Sequence, residues 1–226
     1  MTYREFVAEI MSSVEDVYRR YYRENRRRIR IKKEDLAVKN YVALINAALR
    51  LSAEKGFQAM SMRDLTREAG MSMGALYYYF SGKNDILALI HKEGHKFVKD
   101  MLLKYTAGES GPAQKLRTAI RTHLYLSELM RLWFQFFFME TKHQAKKDRK
   151  VPIESELWTE KLYMDILREG ARAGMFRVDD PGLVGAAIKS LLQDWYLKRW
   201  KYVHRGIPIE KYAEFVIAFV EAYVKK

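Results

Sequence analysis

Along the whole chain the apolar residues recur at spacings of three and four, and the pattern stops only at a few points carrying glycine or proline. In residues 2–22 the set Tyr3, Phe6, Val7, Ile10, Val14, Val17, Tyr18 and Tyr21 marks one face of an amphipathic helix. A second helical pattern turns Tyr41, Leu44, Ile45, Ala48 and Leu49 inward and stops at Gly56. Beyond Lys83 six further helices are predicted, at about 83–105, 112–129, 131–146, 153–173, 180–204 and 208–225. Their breaks fall at Gly108–Pro112, Pro152, Asp179–Pro181 and Gly206–Pro208. Four prolines in 226 residues leave little punctuation for a many-stranded sheet, so the fold class is all-α. That length admits a small head and a larger body.

The formal net charge of +13 points to a polyanionic partner, since clustered Lys and Arg displace the counterions condensed on nucleic-acid phosphates. The excess is uneven. Arg23–Lys33 sets seven basic residues against one acid, whereas residues 40–90 hold five against four. The basic run reads either as a solvated linker or as an arm that adds phosphate or minor-groove contacts. With no cysteine, disulfides and thiolate metal sites are excluded, and the reducing cytoplasm is the simplest home. No apolar run approaches the ~20 residues needed to cross a bilayer, and Arg4, Glu5 and Glu9 interrupt the N-terminal apolar pattern.

Two short helices meet across a tight turn in residues 61–80. Ser61 can cap the first, with Asp64 near its positive end and Met62, Leu65 and Ala69 on one face. Gly70 permits a left-handed turn. Ser72 can cap the second, in which Leu76 and Phe80 point inward while Gly74, Tyr77 and Tyr78 point out. A DNA-reading helix-turn-helix needs this layout: one helix across the backbone, a sharp turn, then a helix whose N-terminal half enters the major groove. Taken by periodicity alone, Tyr77–Phe80 reads equally as an aromatic core stripe, and Arg63 and Lys83 as solvated charges.

Residues 47–90, AALRLSAEKGFQAMSMRDLTREAGMSMGALYYYFSGKNDILALI, resemble the N-terminal domain of the TetR family of bacterial regulators. The likeness rests on Glu-Lys-Gly-Phe, Ser-Met-Arg-Asp-Leu, Glu-Ala-Gly at the turn, Gly-Ala-Leu-Tyr-Tyr-Tyr-Phe, and Lys83 followed by Asp85. It implies DNA contacts from Ser61, Arg63, Ser72, Met73, Gly74, Ala75, Tyr77, Tyr78, Tyr79 and Lys83, the tyrosines and Lys83 mostly on phosphates. Met73 departs from the polar or basic residue common there and offers a base only apolar contact. The division implied is an N-terminal extension (1–36), a helix-turn-helix domain (37–84) and a ligand-binding and dimerisation domain (85–226).

Within the body, Leu132–Glu140 is apolar nearly all round, which marks a buried helix or the wall of a ligand pocket. Trp133, Phe136 and Phe137 would supply that wall, with His123, Gln135, Glu140, Trp158 and Trp195 as its polar points. The basic run Lys142–Lys150 is a solvated connection or a phosphate-holding mouth. The C-terminal half resembles TetR-type regulators of fatty-acid and related degradation, which implies an acyl- or aryl-coenzyme A thioester as effector. The family likeness also implies a homodimer formed by the last helices, through Leu183, Ala187, Leu191, Phe215 and Phe219. The function expected is that of a repressor on a palindromic operator, released by a small hydrophobic ligand. A multidrug or aromatic-compound sensor controlling an efflux gene is the alternative.

An enzyme is the competing class. His91 and His95 stand four apart on a helix, a metal-binding spacing, but no further ligand set accompanies them. No nucleophile motif or phosphate loop is evident, so no catalytic residue, metal or resident cofactor is assigned, and a pure interaction protein is disfavoured by the ordered motif in 61–80.

Overall fold

The computed structural model describes residues 1–26, 31–141 and 150–225. Among these it contains α1 (Tyr3–Asn25), α2 (Glu34–Lys55), α3 (Met62–Ala69), α4 (Met73–Tyr77), α5 (Lys83–Ala107), α6 (Pro112–Leu129), α7 (Arg131–Thr141), α8 (Lys150–Arg172), α9 (Pro181–Leu197), α10 (Arg199–His204) and α11 (Ile209–Val224). One isolated antiparallel bridge joins Phe176 to Lys225. The all-α expectation holds.

The chain forms two compact units. The first to be described comprises Val7–Phe97 and Leu132–Arg149. Its core is built on α2, whose Tyr41, Leu44, Ile45 and Ala48 are fully buried, and it gathers Leu65, Leu76, Phe80 and Ile86 around them. Tyr18 and Tyr22 of α1 join the same core, because α1 keeps its apolar residues on one face. Helix α7 crosses α5 at Gly94, where a Cβ would stand 2.5 Å from Trp133 and 2.9 Å from Phe137. Only a residue without a side chain allows that approach.

The second unit comprises Met1–Phe6, Val98–Arg131 and Lys150–Lys226. Here α6 packs against α8, α9 and α11. Helices α8 and α9 approach at Gly185, whose added Cβ would lie 3.1 Å from the Glu160 carbonyl oxygen. Asp180 caps α9 by accepting from the Gly182 and Leu183 amides, and Pro181 occupies the first turn, where no N–H is required. From α1, Tyr3 and Phe6 set their rings against Tyr125 at 5.3 and 5.5 Å.

Three helix boundaries differ from the expected ones. Pro152 is not a break: it lies in the first turn of α8, where a proline displaces no intrahelical bond. The segment 180–204 is not continuous, because Lys198 leaves the helical region at φ −119°, ψ 33°. Asp194 accepts from Lys198, Lys201 and the Tyr202 hydroxyl across this break, and Arg199 turns to hold Glu128 through paired bonds. The reading helix is shorter than 72–80, ending at Tyr77, with tight turns carrying Tyr79 and Phe80 inward. The expected end of the helix at 131–146, the basic run Lys142–Lys150 up to Arg149, and Arg27–Arg30 lie outside the described residues.

Candidate nucleic-acid interface

Helix α3 begins with a reciprocal cap. The Ser61 hydroxyl accepts from the Asp64 amide at 3.1 Å, while the Asp64 carboxylate accepts from the Ser61 amide at 2.9 Å. Lys55 stands 2.7 Å from the same carboxylate, and this bond together with the cap holds Asp64 well below the usual carboxylate range. At the other end Gly70 adopts φ 67°, ψ 36°, the left-handed turn that lets the Met71 amide bond back to the Thr66 carbonyl. Ser72 then caps α4 through the Ala75 amide at 3.1 Å. Leu65, Leu76 and Phe80 are buried beneath the two helices and fix their crossing.

The outer face of this pair carries the residues expected to touch DNA. Arg63, Gly74, Tyr77 and Tyr78 are exposed, the two tyrosines at 53% and 44%, so the aromatic run is not a core stripe at these positions. A tyrosine there presents a flat ring and a hydroxyl donor to a phosphate. Ser61 and Ser72 are exposed but spend their hydroxyl oxygens on caps, and Ala75 is half-buried.

Three other residues have internal tasks that the sequence pattern did not show. Met73 is half-buried, its sulfur 3.7 Å from the buried Thr66 hydroxyl, whose proton goes to the Arg63 carbonyl at 2.9 Å, so Met73 packs α4 back against α3. Lys83 donates to the carbonyls of Phe57 and Gln58 at 3.3 and 2.9 Å and lies over the Phe57 ring. Tyr79 is half-buried and accepts from Asn40 Nδ2 at 2.7 Å.

The expected ligand residues divide between the units. Trp133, Gln135, Phe136, Phe137 and Glu140 lie on α7 in the unit that holds the helix pair, whereas His123, Trp158 and Trp195 lie in the other. Glu140, 5% exposed, accepts from the Ser52 hydroxyl and the Phe57 amide, both at 3.2 Å, and so is spent on the loop before α3. Phe136 meets Phe57 and His91 edge to face at 5.5 Å, and Phe137 stacks on His91 at 4.7 Å. Trp195 stacks on Tyr202 at 4.9 Å, meets Tyr212 in a tilted contact at 5.0 Å, and donates to Glu128; the two tyrosine rings are themselves 4.6 Å apart, so the three form a cluster. His123 is 1% exposed beside Tyr163, with 3.3 Å between Nδ1 and the hydroxyl. Burial, then the nearby Lys189 charge, lowers its pKa well below the usual histidine value. Trp158 lies under Lys99 at 5.2 Å. Among the described residues no group of three or more His, Cys, Asp or Glu is placed to hold a metal ion, and no helix is long and apolar enough to cross a membrane.

The reciprocal cap, left-handed glycine turn and second capped helix with outward tyrosines define a helix-turn-helix DNA-binding regulator with a helical body. Residues 44–90 match the family model described as bacterial regulatory proteins, tetR family, and residues 109–202 match that of the tetracyclin repressor-like C-terminal domain. The chain belongs to the TetR family of transcriptional regulators. It is 26% identical over 182 residues to the HTH-type transcriptional regulator HbdR of Aromatoleum sp. (strain CIB), covering 80% of this chain and 79% of HbdR. It is 26% identical over 183 residues to the HTH-type transcriptional repressor KstR2 of Rhodococcus jostii (strain RHA1), covering 78% of this chain and 87% of that protein. The fold is also that of AibR, solved in complex with isovaleryl coenzyme A and operator DNA, at a TM-score of 0.70 and 18% identity over 81% of this chain and 97% of AibR. These relatives are regulators, not enzymes.

Proposed function

We propose that the chain is a homodimeric repressor that binds a palindromic operator and is released by a small hydrophobic effector, an acyl- or aryl-coenzyme A thioester. The observation that carries the dimer is the second apolar stripe of α11. One face buries Tyr212, Ala213, Val216, Ile217 and Val220, yet Phe215, Ala218, Phe219, Ala222 and Tyr223 form an exposed stripe at helical spacing. On α9 Leu183, at 70% exposure, and Ala187 are exposed too, and Leu191 is half-buried, its carbonyl accepting from the Tyr212 hydroxyl of α11 at 2.7 Å. Apolar surface of this kind is covered in solution by a partner, and a twofold copy sets two reading heads about 34–36 Å apart, one groove repeat.

Support for the effector class comes from the ligand in the AibR complex and from the polar groups buried within the apolar body. There Thr122, His123, Thr159 and Lys189 are all under one-tenth exposed, and Lys189 pairs with Glu156 at 2.9 Å. Buried polar groups amid apolar walls are the usual makeup of a small-molecule site. The experiment is a gel shift on the DNA upstream of the chain's own gene, repeated with a panel of coenzyme A thioesters and with the corresponding free acids and aromatic compounds. Release by thioesters, with a rise in melting temperature, is the expected outcome. Release by the free compounds alone would favour the aromatic-compound sensor, and no effect from any of them would sink the effector reading.

A further inference from the structure

The family model for the DNA-binding domain begins at residue 44, leaving α1 and the first turns of α2 outside it. Those outside residues nevertheless support the end of the reading helix. Asn40 donates from Nδ2 to the Tyr79 hydroxyl oxygen at 2.7 Å. The fully buried Tyr41 meets the Tyr79 ring at 4.9 Å and the Phe80 ring at 5.8 Å, both edge to face. Tyr21 of α1 then meets Tyr41 at 5.2 Å with an interplanar angle of 89°. An aromatic ladder therefore runs from α1 through α2 to Tyr79.

Helix α1 is itself firmly attached within this unit. The Tyr22 hydroxyl donates toward the carbonyls of Ile31 and Lys32 at 2.9 and 3.1 Å. Arg19 pairs with Asp35 at 2.8 Å, Arg23 with Glu34 at 2.8 Å, and Arg20 with the buried Glu93 at 3.2 Å. Arg19 and Arg23 thus both pair with acids of α2, and Arg23 is the first residue of the basic run Arg23–Lys33.

We propose that Asn40, Tyr41 and Tyr21 are positioning residues for DNA binding: they fix the Tyr79 ring so that its hydroxyl donates to a DNA phosphate. The inference rests on the reading of the α3–α4 face as the operator surface. A phenol hydroxyl has one proton to donate and lone pairs to accept with. With Asn40 on a lone pair, the proton of Tyr79 is directed to another acceptor, and the bond from Asn40 polarises it into a better donor. The edge-to-face ladder holds the ring in place. On this account α1 is a fourth helix of the reading head and acts by packing. A neutral donor on a phosphate adds affinity without displacing a counterion, so it leaves the salt dependence alone.

The test uses the full chain and fluorescence anisotropy on the duplex upstream of its own gene, with a scrambled duplex of equal length, at several salt concentrations. Asn40→Ala and Tyr79→Phe should each weaken binding about five- to tenfold at every salt concentration, with parallel slopes of log Kd against log salt. The double variant should be no weaker than the worse single one, and Tyr21→Ala should weaken the parent but not Tyr79→Phe. Melting curves accompany each variant, and Tyr21→Leu replaces Tyr21→Ala where that protein fails to fold. Additive losses from Asn40→Ala and Tyr79→Phe, a flattened salt slope, or full affinity in Asn40→Ala would overturn the inference while leaving DNA binding intact. A parent protein that binds neither duplex would overturn the operator reading, and the inference with it.

Discussion

Glu140 accepts from the Phe57 amide and the Ser52 hydroxyl through one carboxylate oxygen, at a position 5% exposed. Removing it strands a buried backbone donor, which costs about 1–3 kcal/mol. Glu140→Ala should therefore lower the melting temperature, and Glu140→Gln, which keeps a carbonyl acceptor, should lower it less. Thermal denaturation of the two variants checks the order. The Ser61 cap was legible because its chemistry is local, whereas Asp64 was read only as an acid near the helix's positive end and its return bond from the Ser61 amide came with the fold. Glu140 was not legible, since its partners lie 83 and 88 residues away and an acid on an apolar helix looks the same whether it meets a ligand or a loop. Met73 shows the same limit: the sequence marked it as unusual, and only the fold shows its sulfur turned toward Thr66.

At the level of elements, α11 carries two apolar stripes and can bury only one within its own unit. A charge at the centre of the exposed stripe should prevent association, because a carboxylate cannot be desolvated there without a partner. Phe219→Glu should run as a monomer in light scattering and lose at least about tenfold in operator affinity, with the helix content of the parent. The crossing of α5 and α7 gives a second expectation. Gly94→Ala gains helix propensity of roughly 1 kcal/mol, but its methyl would stand 2.5–2.9 Å from two aromatic rings. Overpacking of this kind typically costs about 1–3 kcal/mol, so a small net loss of stability should appear in denaturant titrations. Helix existence was readable throughout from the three- and four-residue spacing. Helix ends were less so: Pro152 fits a first turn, and at Lys198 the backbone leaves the helix with nothing in the apolar spacing to mark it, while Asp194 goes on pairing with Lys201 and Tyr202 beyond the break.

For the whole molecule, two of the described histidines, buried His91 in one unit and buried His123 in the other, tie stability to pH. Burial pushes His91 down to about 4 from 6.5 and lowers His123 well below 6.5. The unfolded chain then binds more protons than the folded one below pH 6.5. The stability that the neutral rings confer is complete above that value and is lost as the pH falls toward the folded pKa. His91→Phe should flatten the fall in melting temperature between pH 6.5 and 4, by an amount equivalent to about 2–3 kcal/mol. Chain-wide organisation was only partly legible. The sequence separates an extension at 1–36 from a reading domain, but α1 contributes Tyr18 and Tyr22 to the core beneath that domain, and α7 joins the same unit from residue 132. Sequence distance hides such assembly, because each helix needs only an apolar face and not a named partner.

Both backbone polar groups of Phe57 are held, its N–H by Glu140 of α7 and its C=O by Lys83 of α5. Its amide proton belongs to a loop yet is shielded like one in a core helix, and it should be among the slow class in hydrogen–deuterium exchange. That single proton is a clock for the contact: while α7 keeps its place the exchange stays slow, and any effector that draws α7 away should set it running.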